Sequence, residues 1–198
     1  SIILQAYNGH QVYNQEMEGE GGQQVTLVQY ISTAHFVEAV AENWESEFLQ
    51  MAMFVWLSMF LYQRGSSESK DPDKKEEVDR EPSKRRKDVP KPVMKGGLML
   101  AIYKHSLCYT LFLLFFICFG IHWISSMRDF NQEQALKGLP GETAMQYLGN
   151  AKLWSESFEN WQSEFLSVFA IVILSIFLRQ QGSAQSKPVD APHYETGG

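Results

Sequence analysis

Three long apolar runs dominate the pattern of hydrophobic and polar positions along the chain. They cover residues 48–62, 107–124 and 165–178, and each contains very few polar side chains. A helix needs about 20 such residues to cross the ~30 Å hydrocarbon core of a bilayer. The run at 107–124 nearly has that length, and the other two are extended upstream by Trp44 and Trp161, a residue type that lies at membrane interfaces. The pattern therefore predicts three membrane-spanning helices.

The chain contains the same sequence pattern twice. Residues 42–70 read ENWESEFLQMAMFVWLSMFLYQRGSSESK, and residues 159–187 read ENWQSEFLSVFAIVILSIFLRQQGSAQSK, displaced by 117 positions without a gap. Of these 29 aligned positions, 17 are identical, and the match resumes upstream, where residues 14–16 align with 131–133. A repeat at a fixed offset is strong evidence about architecture, and it predicts a duplicated helical unit.

The same offset predicts a fourth span. It aligns Ser1 with Cys118, inside the second apolar run, so residues 1–4 are expected to be the tail of a first span whose beginning is missing. Removal of a signal peptide is the alternative. The predicted fold is an all-α membrane protein, a tandem duplication of a two-helix transmembrane hairpin with a parallel pseudo-two-fold relation. The predicted divisions are a first repeat (1–65), a charged linker (66–97), a second repeat (98–187) and a tail (188–198).

The distribution of charge predicts how the chain is oriented in the membrane. The averages are those of a soluble protein, with 44% hydrophobic residues and a mean hydropathy of −0.24, because the polar linker offsets the apolar runs. Of the 17 lysines and arginines, 12 lie between Arg64 and Lys104. Basic flanks remain in the cytoplasm, so the linker and the tail are expected there, with loops at residues 7–41 and 128–158 outside. Each outer loop is expected to contain a short amphipathic helix that leads into the next span, beginning near Thr33 in the first loop.

A motif at the start of each repeated segment holds the main candidate residues. They are Asn43, Trp44, Ser46 and Glu47 and, in the second copy, Asn160, Trp161, Ser163 and Glu164. A helix start at the membrane interface explains each type separately, with asparagine as a cap, acids in the first turn and tryptophan at the headgroups. The alternative is that Glu47 and Glu164 meet near the pseudo-two-fold axis, where two carboxylates can hold a metal cation or share a proton. The helix-start interpretation is favoured.

Three further polar residues lie within the apolar runs. Ser58 and Ser175 occupy equivalent positions, and small polar side chains there let helices approach closely and form hydrogen bonds. His122 is ionisable, and an intramembrane histidine is a functional candidate, for example as an axial ligand of haem or a pigment. Because Gln5 lies at the equivalent position of the other copy, an interfacial hydrogen bond is the favoured role.

The sequence contains no motif of a known catalytic site. Walker A, GxGxxG, HExxH and GxSxG patterns are absent, as is any cysteine–histidine metal spacing. The basic residues 84–87 are surrounded by acids, which argues against nucleic-acid binding. We therefore predict a protein that is not an enzyme and has no cofactor. Its expected partners are the lipid bilayer and other membrane-protein subunits.

The doubled signature N-W-x-S-E-F-L, followed in each copy by Q-x-G-S-x-x-S-K, resembles that of a family of small bacterial integral membrane proteins known as a domain of unknown function. The resemblance covers nearly the whole chain, including the charged linker, although the first span is curtailed here. It implies a multi-pass protein of the bacterial inner membrane. It implies no activity and no functional residues.

Three hypotheses about function follow. The leading one is a non-catalytic accessory or scaffold subunit of a larger bacterial membrane assembly, because catalytic motifs are absent and the linker is long and charged. The alternative is a small transporter or channel that uses Glu47 and Glu164 on the pseudo-two-fold axis. A third option is a cofactor-carrying subunit that uses His122.

Overall fold

The structure is a computed structural model that describes residues 2–19 and 21–197. Within those ranges it contains helices and connecting turns and no β-strand, which confirms the prediction of an all-α protein. The helices are α1 (Ile2–Gly19), α2 (Leu27–Tyr30), α3 (Ala34–Leu57), α4 (Lys91–Lys95), α5 (Gly97–Lys104), α6 (Ser106–Leu136), α7 (Ala144–Tyr147) and α8 (Ala151–Phe177), with a 3₁₀ turn at Glu77–Asp79.

The chain forms two compact units. The first consists of the described residues of Ser1–Leu49 and Leu113–Gln162, and the second consists of those of Gln50–Phe112 and Ser163–Gly198. Helices α3, α6 and α8 each contribute residues to both units. The candidate site lies within the first unit, whereas the linker and the tail belong to the second.

Two helices in the described part of the chain are long and apolar enough to cross a membrane. Helix α6 has 31 residues and α8 has 27, so at about 1.5 Å per residue both exceed the ~30 Å hydrocarbon core. Large apolar side chains on them are exposed, among them Leu113 and Phe116 on α6 and Leu166 and Phe169 on α8. Apolar surface of this kind typically faces lipid or another protein. These two helices fit a membrane-associated protein.

The apolar run at 48–62 is helical over only part of its length. Helix α3 ends at Leu57, and residues 58–60 form a tight turn whose last two N–H groups bond to carbonyls three residues back. Beyond Glu47, α3 retains only residues 48–57, which cover about 15 Å, half the thickness of the hydrocarbon core. Among the described residues, the structure therefore offers two candidate spans where the sequence pattern predicts three.

Two loop segments have the same hydrogen bonds at positions 117 residues apart. The hydroxyls of Thr26 and Thr143 each accept from the N–H of a glutamine three residues later, whose side-chain oxygen accepts from the threonine N–H. This capping box starts α2 and α7. The amides of Asn14 and Asn131 each bridge both backbone groups of the residue 11 positions later, at 2.7–2.9 Å. The tyrosine that ends each short helix is thereby held in a buried position.

Much of the sequence that was predicted to form outer loops is helical. Helix α1 continues to Gly19, α6 continues to Leu136, and α8 begins at Ala151, so the loops are shorter than residues 7–41 and 128–158. In α6 the physical reason is that polar side chains recur every three or four residues on a buried face, as at His122, Ser126 and Asp129. A pattern search for apolar faces does not detect helices whose buried face is polar.

The linker at residues 66–97 lies in the second unit and has little regular structure before α4. Ion pairs within the chain hold its first part, including Lys70 with Asp79 at 2.7 Å and Lys74 with Asp71 at 3.0 Å. The charges of this segment are thus partly neutralised by one another.

The tail is anchored by Lys187, whose side chain is buried. Its ammonium group donates to the carbonyls of Pro192, His193 and Glu195 at 2.8–3.3 Å. The N–H of Gly197 also donates to the Ser66 carbonyl at 3.0 Å. Residues 188–197 are therefore fixed to the second unit.

Candidate functional site

Three helices place polar side chains on faces that meet inside the first unit. Each face uses a spacing of three or four residues, which keeps side chains on one side of an α-helix. The set, termed here the His122 cluster, consists of Glu38, Glu42 and Glu45 of α3, His122, Ser126, Asp129 and Glu133 of α6, and Lys152, Glu156 and Asn160 of α8.

His122 lies fully buried between two carboxylates. Its Nδ1 atom is 2.8 Å from Glu45 Oε2, and its Nε2 atom is 3.4 Å from Glu156 Oε2. Glu45 is fully buried too, and its other oxygen accepts a 3.0 Å hydrogen bond from the indole N–H of Trp161. A protonated imidazole can donate from both ring nitrogens, here one to each carboxylate. Because the Nδ1 contact is shorter, we assign the retained N–H to Nδ1, so that Nε2 is the atom that loses its proton when a cation binds.

Ser126 connects α7 to Glu156. Its hydroxyl donates to Glu156 Oε2 at 3.0 Å and lies 2.8 Å from the hydroxyl oxygen of Tyr147. Since serine has one hydroxyl hydrogen, Tyr147 is the donor in the second bond. Burial raises the pKa of Tyr147 to about 12, so its phenol remains a donor at neutral pH. One oxygen of Glu156 is thus held in place from the α7 side.

Lys152 lies among four carboxylates. Its Nζ atom is 3.7 Å from Glu38 and from Asp129, 3.8 Å from Glu156 and 3.9 Å from Glu133. These are ion-pair distances, longer than the ~2.7–3.2 Å of a hydrogen bond. The ammonium group therefore neutralises its neighbours electrostatically and is not bound tightly to any one of the four.

Glu38 has a buried oxygen that receives no hydrogen bond from the described residues. Its side chain is only 9% exposed, Oε1 is the oxygen nearest to Lys152, and Oε2 is the unpartnered atom. Burial raises the pKa of Glu38 to about 7, and the nearby Lys152 charge and Ser126 hydroxyl oppose this effect. Because buried polar atoms are nearly always paired, an orphan carboxylate oxygen in a polar cluster points to a ligand.

Acidic groups outnumber basic groups in the His122 cluster. Within the cluster, six carboxylates face two basic side chains, Lys152 and His122, with His35 beside Asp129, and the Glu42 carboxylate also accepts a hydrogen bond from the Asn160 amide. Unpaired negative charge is strongly unfavourable away from water. A bound cation would neutralise this excess.

Glu38, His122 and Glu156 can together ligate one metal ion. Each offers one ligand atom, and the three atoms lie within 4.8 Å of one another. Metal–oxygen and metal–nitrogen bonds of about 2.0–2.2 Å at tetrahedral angles place two ligand atoms roughly 3.4 Å apart. Rotation of the side chains must therefore bring the ligand atoms, which are at most 4.8 Å apart, closer together before they ligate a common ion.

A cavity of about 310 Å³ adjoins the cluster. Glu16 and His35 line it together with Asp129 and Glu133. The last two residues also contact Lys152, so the cavity and the centre of the cluster share a pair of carboxylates. The cavity therefore borders the cluster at Asp129 and Glu133.

The first copy of the signature motif lies mostly outside the cluster. Asn43, Trp44 and Glu47 are exposed, and the Asn43 amide donates to Glu47 at 3.2 Å on the surface of α3. Ser46 is buried and donates to the Asn43 carbonyl at 2.8 Å. Asn43 lies well inside α3 and does not cap it. Thr33 has that role, because its hydroxyl accepts from the N–H of a residue in the first turn at 3.2 Å.

The second copy borders the cluster through two residues. Asn160 donates to Glu42 and Trp161 donates to Glu45, whereas Ser163 is exposed. Glu164 is half-buried in the second unit, where its carbonyl accepts from the Gln50 amide at 3.1 Å. Since Glu47 belongs to the first unit, its pairing with Glu164 stays a prediction.

The two serines of the apolar runs share one kind of contact and differ in another. The Ser58 hydroxyl lies 3.0 Å from the carbonyl of Val55, and the Ser175 hydroxyl lies 3.2 Å from that of Val172, in each case three residues back in the helix. Ser175 is buried, and its hydroxyl lies 2.9 Å from that of Ser66, in the segment that follows α3. Ser175 therefore holds the start of the linker within the second unit.

Sequence reasoning identified His122 but missed the acids around it. It assigned residues 7–41 and 128–158 to outer loops in water, each with a short lead-in helix, where carboxylates need no explanation. A usable signal was present, because Glu38, Glu42 and Glu45 recur at spacings of four and three directly before an apolar run. That spacing puts all three on one helix face, which a helix entering a membrane does not present to lipid.

Comparisons with known proteins identify a family. No curated protein and no solved structure gives a significant match to the chain. A family model described as a domain of unknown function (DUF6766) matches residues 1–198. The resemblance to an uncharacterised family is confirmed at that level. The chain therefore belongs to the DUF6766 family of domains of unknown function.

Proposed function

We propose that this protein is a multi-pass membrane protein that binds a cation at the His122 cluster. The observation that carries the proposal is the fully buried His122 with a carboxylate at each ring nitrogen, beside the orphan oxygen of Glu38. Ionisable residues within membrane helices are unfavourable unless paired, and they commonly mark ion pathways and binding sites.

A purely structural role explains the cluster less well. Replacing a buried ionic network with apolar residues of similar volume is often neutral or stabilising. Six carboxylates around Lys152 and His122 repel one another and are a poor way to hold three helices together. A role in binding positive charge accounts for the same residues directly.

The architecture we propose is two helical hairpins in parallel duplication, with four spans. Its support is the sequence repeat and the recurrence of the same capping boxes and asparagine bridges 117 residues apart. Helices α6 and α8 supply two of the spans. A duplicated unit of this kind is common among membrane transporters.

We place the protein in the bacterial inner membrane, with the linker at 66–97 and the C-terminus in the cytoplasm. This orientation rests on the 12 basic residues between Arg64 and Lys104. The same rule puts the outer segments at 7–41 and 128–158 on the opposite side of the membrane.

A stability assay tests cation binding. The full chain is purified in detergent and treated with a chelator, and its unfolding is measured with Na⁺, K⁺, Mg²⁺, Ca²⁺, Mn²⁺ and Zn²⁺ in turn. A cation that binds only the folded state at 100 times its Kd adds about 2.7 kcal/mol to the free energy of unfolding. The wild type is expected to be stabilised by at least one of these ions.

Two variants on α8 locate the effect. Glu156→Gln is expected to lose the stabilisation, whereas Glu159→Gln, the same substitution at an exposed position, keeps it. The proposal is wrong if no cation stabilises the wild type, or if both variants respond as the wild type does.

If the protein is a transporter, the His122 cluster in the first unit is a better candidate for its ion-binding site than Glu47. Glu47 is exposed and paired with Asn43, whereas the His122 cluster is buried and acidic. Uptake of the stabilising cation into proteoliposomes tests transport, and Glu47→Gln is expected to leave that uptake unchanged while Glu156→Gln abolishes it.

The accessory-subunit hypothesis rests on a separate observation, the exposed charged linker. Lys84, Arg85, Arg86 and Lys87 are all exposed. Crosslinking of the native protein followed by mass spectrometry tests this second candidate. A stoichiometric partner crosslinked to Lys74–Lys91 supports it, and a protein that elutes by itself without such crosslinks rules it out.

A further inference from the structure

We propose that Glu38, His122 and Glu156 form a mononuclear site for a divalent first-row transition-metal ion such as Zn²⁺, and that Lys152 is a built-in cation that competes with the metal. This inference rests on the proposed cation binding and names the class of the cation. Four features of the first unit carry it.

The first feature is the set of donor atoms. The three residues supply one imidazole nitrogen and two carboxylate oxygens within 4.8 Å of one another. Mg²⁺ and Ca²⁺ favour oxygen-only sites, whereas imidazole suits Zn²⁺ and its transition-metal neighbours. Three protein ligands of this kind also leave one coordination position open to water, as in catalytic zinc sites.

The second feature is the support behind His122. Metal-binding histidines usually donate their other N–H to a carboxylate, which fixes the ring and the tautomer. Glu45 has that position, 2.8 Å from Nδ1, and the Trp161 N–H holds the other oxygen of Glu45 at 3.0 Å. Nε2 is thereby directed at Glu156 before any metal arrives.

The third feature is the free capacity of the ligands. Glu38 Oε2 is buried without a hydrogen-bond partner among the described residues. The contact between His122 Nε2 and Glu156 Oε2, at 3.4 Å, is long for a charged hydrogen bond. An ion placed among these atoms would bind the unpartnered Glu38 oxygen and would replace the long contact between His122 and Glu156. Ser126 keeps Glu156 in position through its 3.0 Å bond.

The fourth feature is the position of Lys152. Its ammonium group is 3.7 Å from Glu38 and 3.8 Å from Glu156, the two carboxylate ligands. It is equally close to Asp129 and Glu133, which line the adjoining cavity. When a metal binds, these two acids can receive the displaced ammonium group. Lys152 therefore lowers the affinity of the site and provides an exchange partner for the metal.

Titration of the metal-free full chain in detergent tests the site. Co²⁺ and Zn²⁺ are the probes, because Co²⁺ absorbs in the visible range with a spectrum that reports its ligands, and Zn²⁺ displaces it. The wild type is expected to bind one Co²⁺ per chain with a spectrum that Zn²⁺ abolishes. Glu38→Gln, His122→Gln and Glu156→Gln are each expected to weaken binding by roughly 100-fold or more, and Glu159→Gln is the matched control.

Two further variants separate the roles within the site. Glu45→Gln, at a positioning residue, is expected to weaken binding by about 10–100-fold and to alter the Co²⁺ spectrum without abolishing it. Lys152→Gln is expected to tighten binding by roughly tenfold or more, because a competing positive charge is removed about 4 Å from the ligands. A gain in affinity cannot arise from a protein that fails to fold.

The outcomes distinguish this inference from the proposed function. If Na⁺ or Ca²⁺ stabilises the chain through the His122 cluster and Co²⁺ does not bind stoichiometrically, the metal assignment is wrong and cation binding stands. If no cation binds, both are wrong. Equal Co²⁺ affinity in the wild type and Glu38→Gln, or weaker binding in Lys152→Gln, overturns the site as assigned here.

Discussion

Replacing Glu45 with alanine removes two buried hydrogen bonds at once. Glu45 is fully buried, and its two oxygens accept from the Nδ1 atom of His122 and the indole N–H of Trp161. The truncated side chain leaves both donors in a site that water does not fill readily. The variant therefore measures how much the centre of the cluster contributes to folding.

The expected magnitude follows from the two orphaned donors. A buried donor left without its acceptor costs about 1–3 kcal/mol, so Glu45→Ala should lower the free energy of unfolding by roughly 4 kcal/mol. Glu45→Gln keeps one oxygen as an acceptor for Trp161 but turns an NH2 donor towards His122 Nδ1, so the second bond survives only if the ring is neutral and carries its proton on Nε2. Its expected cost is about 1–2 kcal/mol.

Reversible unfolding in mixed micelles, followed by circular dichroism, measures these differences. The matched control is Glu47→Ala, two residues away on α3 and exposed, where a surface substitution changes stability by no more than about 0.5 kcal/mol. The expected order of destabilisation is Glu45→Ala, then Glu45→Gln, then Glu47→Ala.

Equal stability of Glu45→Ala and Glu47→Ala would refute the reasoning. It would mean that the contacts of His122 and Trp161 with Glu45 do not contribute to the folded state, and that the cluster is hydrated in solution. A larger cost for Glu45→Gln than for Glu45→Ala would refute the assignment of Glu45 as an acceptor for two donors.

Three further predictions concern other parts of the chain. Tyr147 should ionise near pH 12, because burial raises its pKa from about 10. The buried neutral phenol stabilises the fold below pH 10, and this contribution is lost as the pH rises to 12. Ultraviolet titration of the wild type and of Tyr147→Phe measures the pKa. Gly65→Ala should lower the free energy of unfolding by about 1–2 kcal/mol more than Gly182→Ala. Both glycines have positive φ, but only at Gly65 would a Cβ collide with the His193 carbonyl oxygen. Equal melting temperatures of the two variants would contradict this. Lys187→Met removes three hydrogen bonds and should speed proteolysis of residues 188–197, and unchanged cleavage would show that the tail is held by other contacts.

The sequence was sufficient for the helices whose signal is hydrophobic. The apolar runs at 107–124 and 165–178 lie in α6 and α8, the two helices that are suited to a membrane. The sequence did not show which polar side chains are buried. Glu45 and Glu47 are two residues apart with the same side chain, yet one is fully buried and the other is exposed. Only the direction of each side chain around α3 decides this, and that depends on which helices pack against it.

Identity between the two sequence copies also directed attention away from the site. Glu47 and Ser46 recur 117 residues later and therefore stood out as candidates. The central residues of the His122 cluster do not recur, because His122, Glu45 and Glu156 align with Gln5, Gln162 and Ala39. Matching positions preserve the framework of helices and caps, so comparing the copies identifies that framework and misses the chemistry.

Tyr30 and Tyr147 illustrate how small the difference between the copies is. Both tyrosines are buried behind the same capping box, but Ser126 bonds to Tyr147, whereas at the equivalent position Gly9 any side chain would collide with the Tyr30 hydroxyl. Two substitutions between the copies, at Ser126 and at Glu156, thus create the connection from the tyrosine to a carboxylate. In evolutionary terms, one half of such a chain can acquire new chemistry by stepwise substitution while the other half conserves the shape that both require.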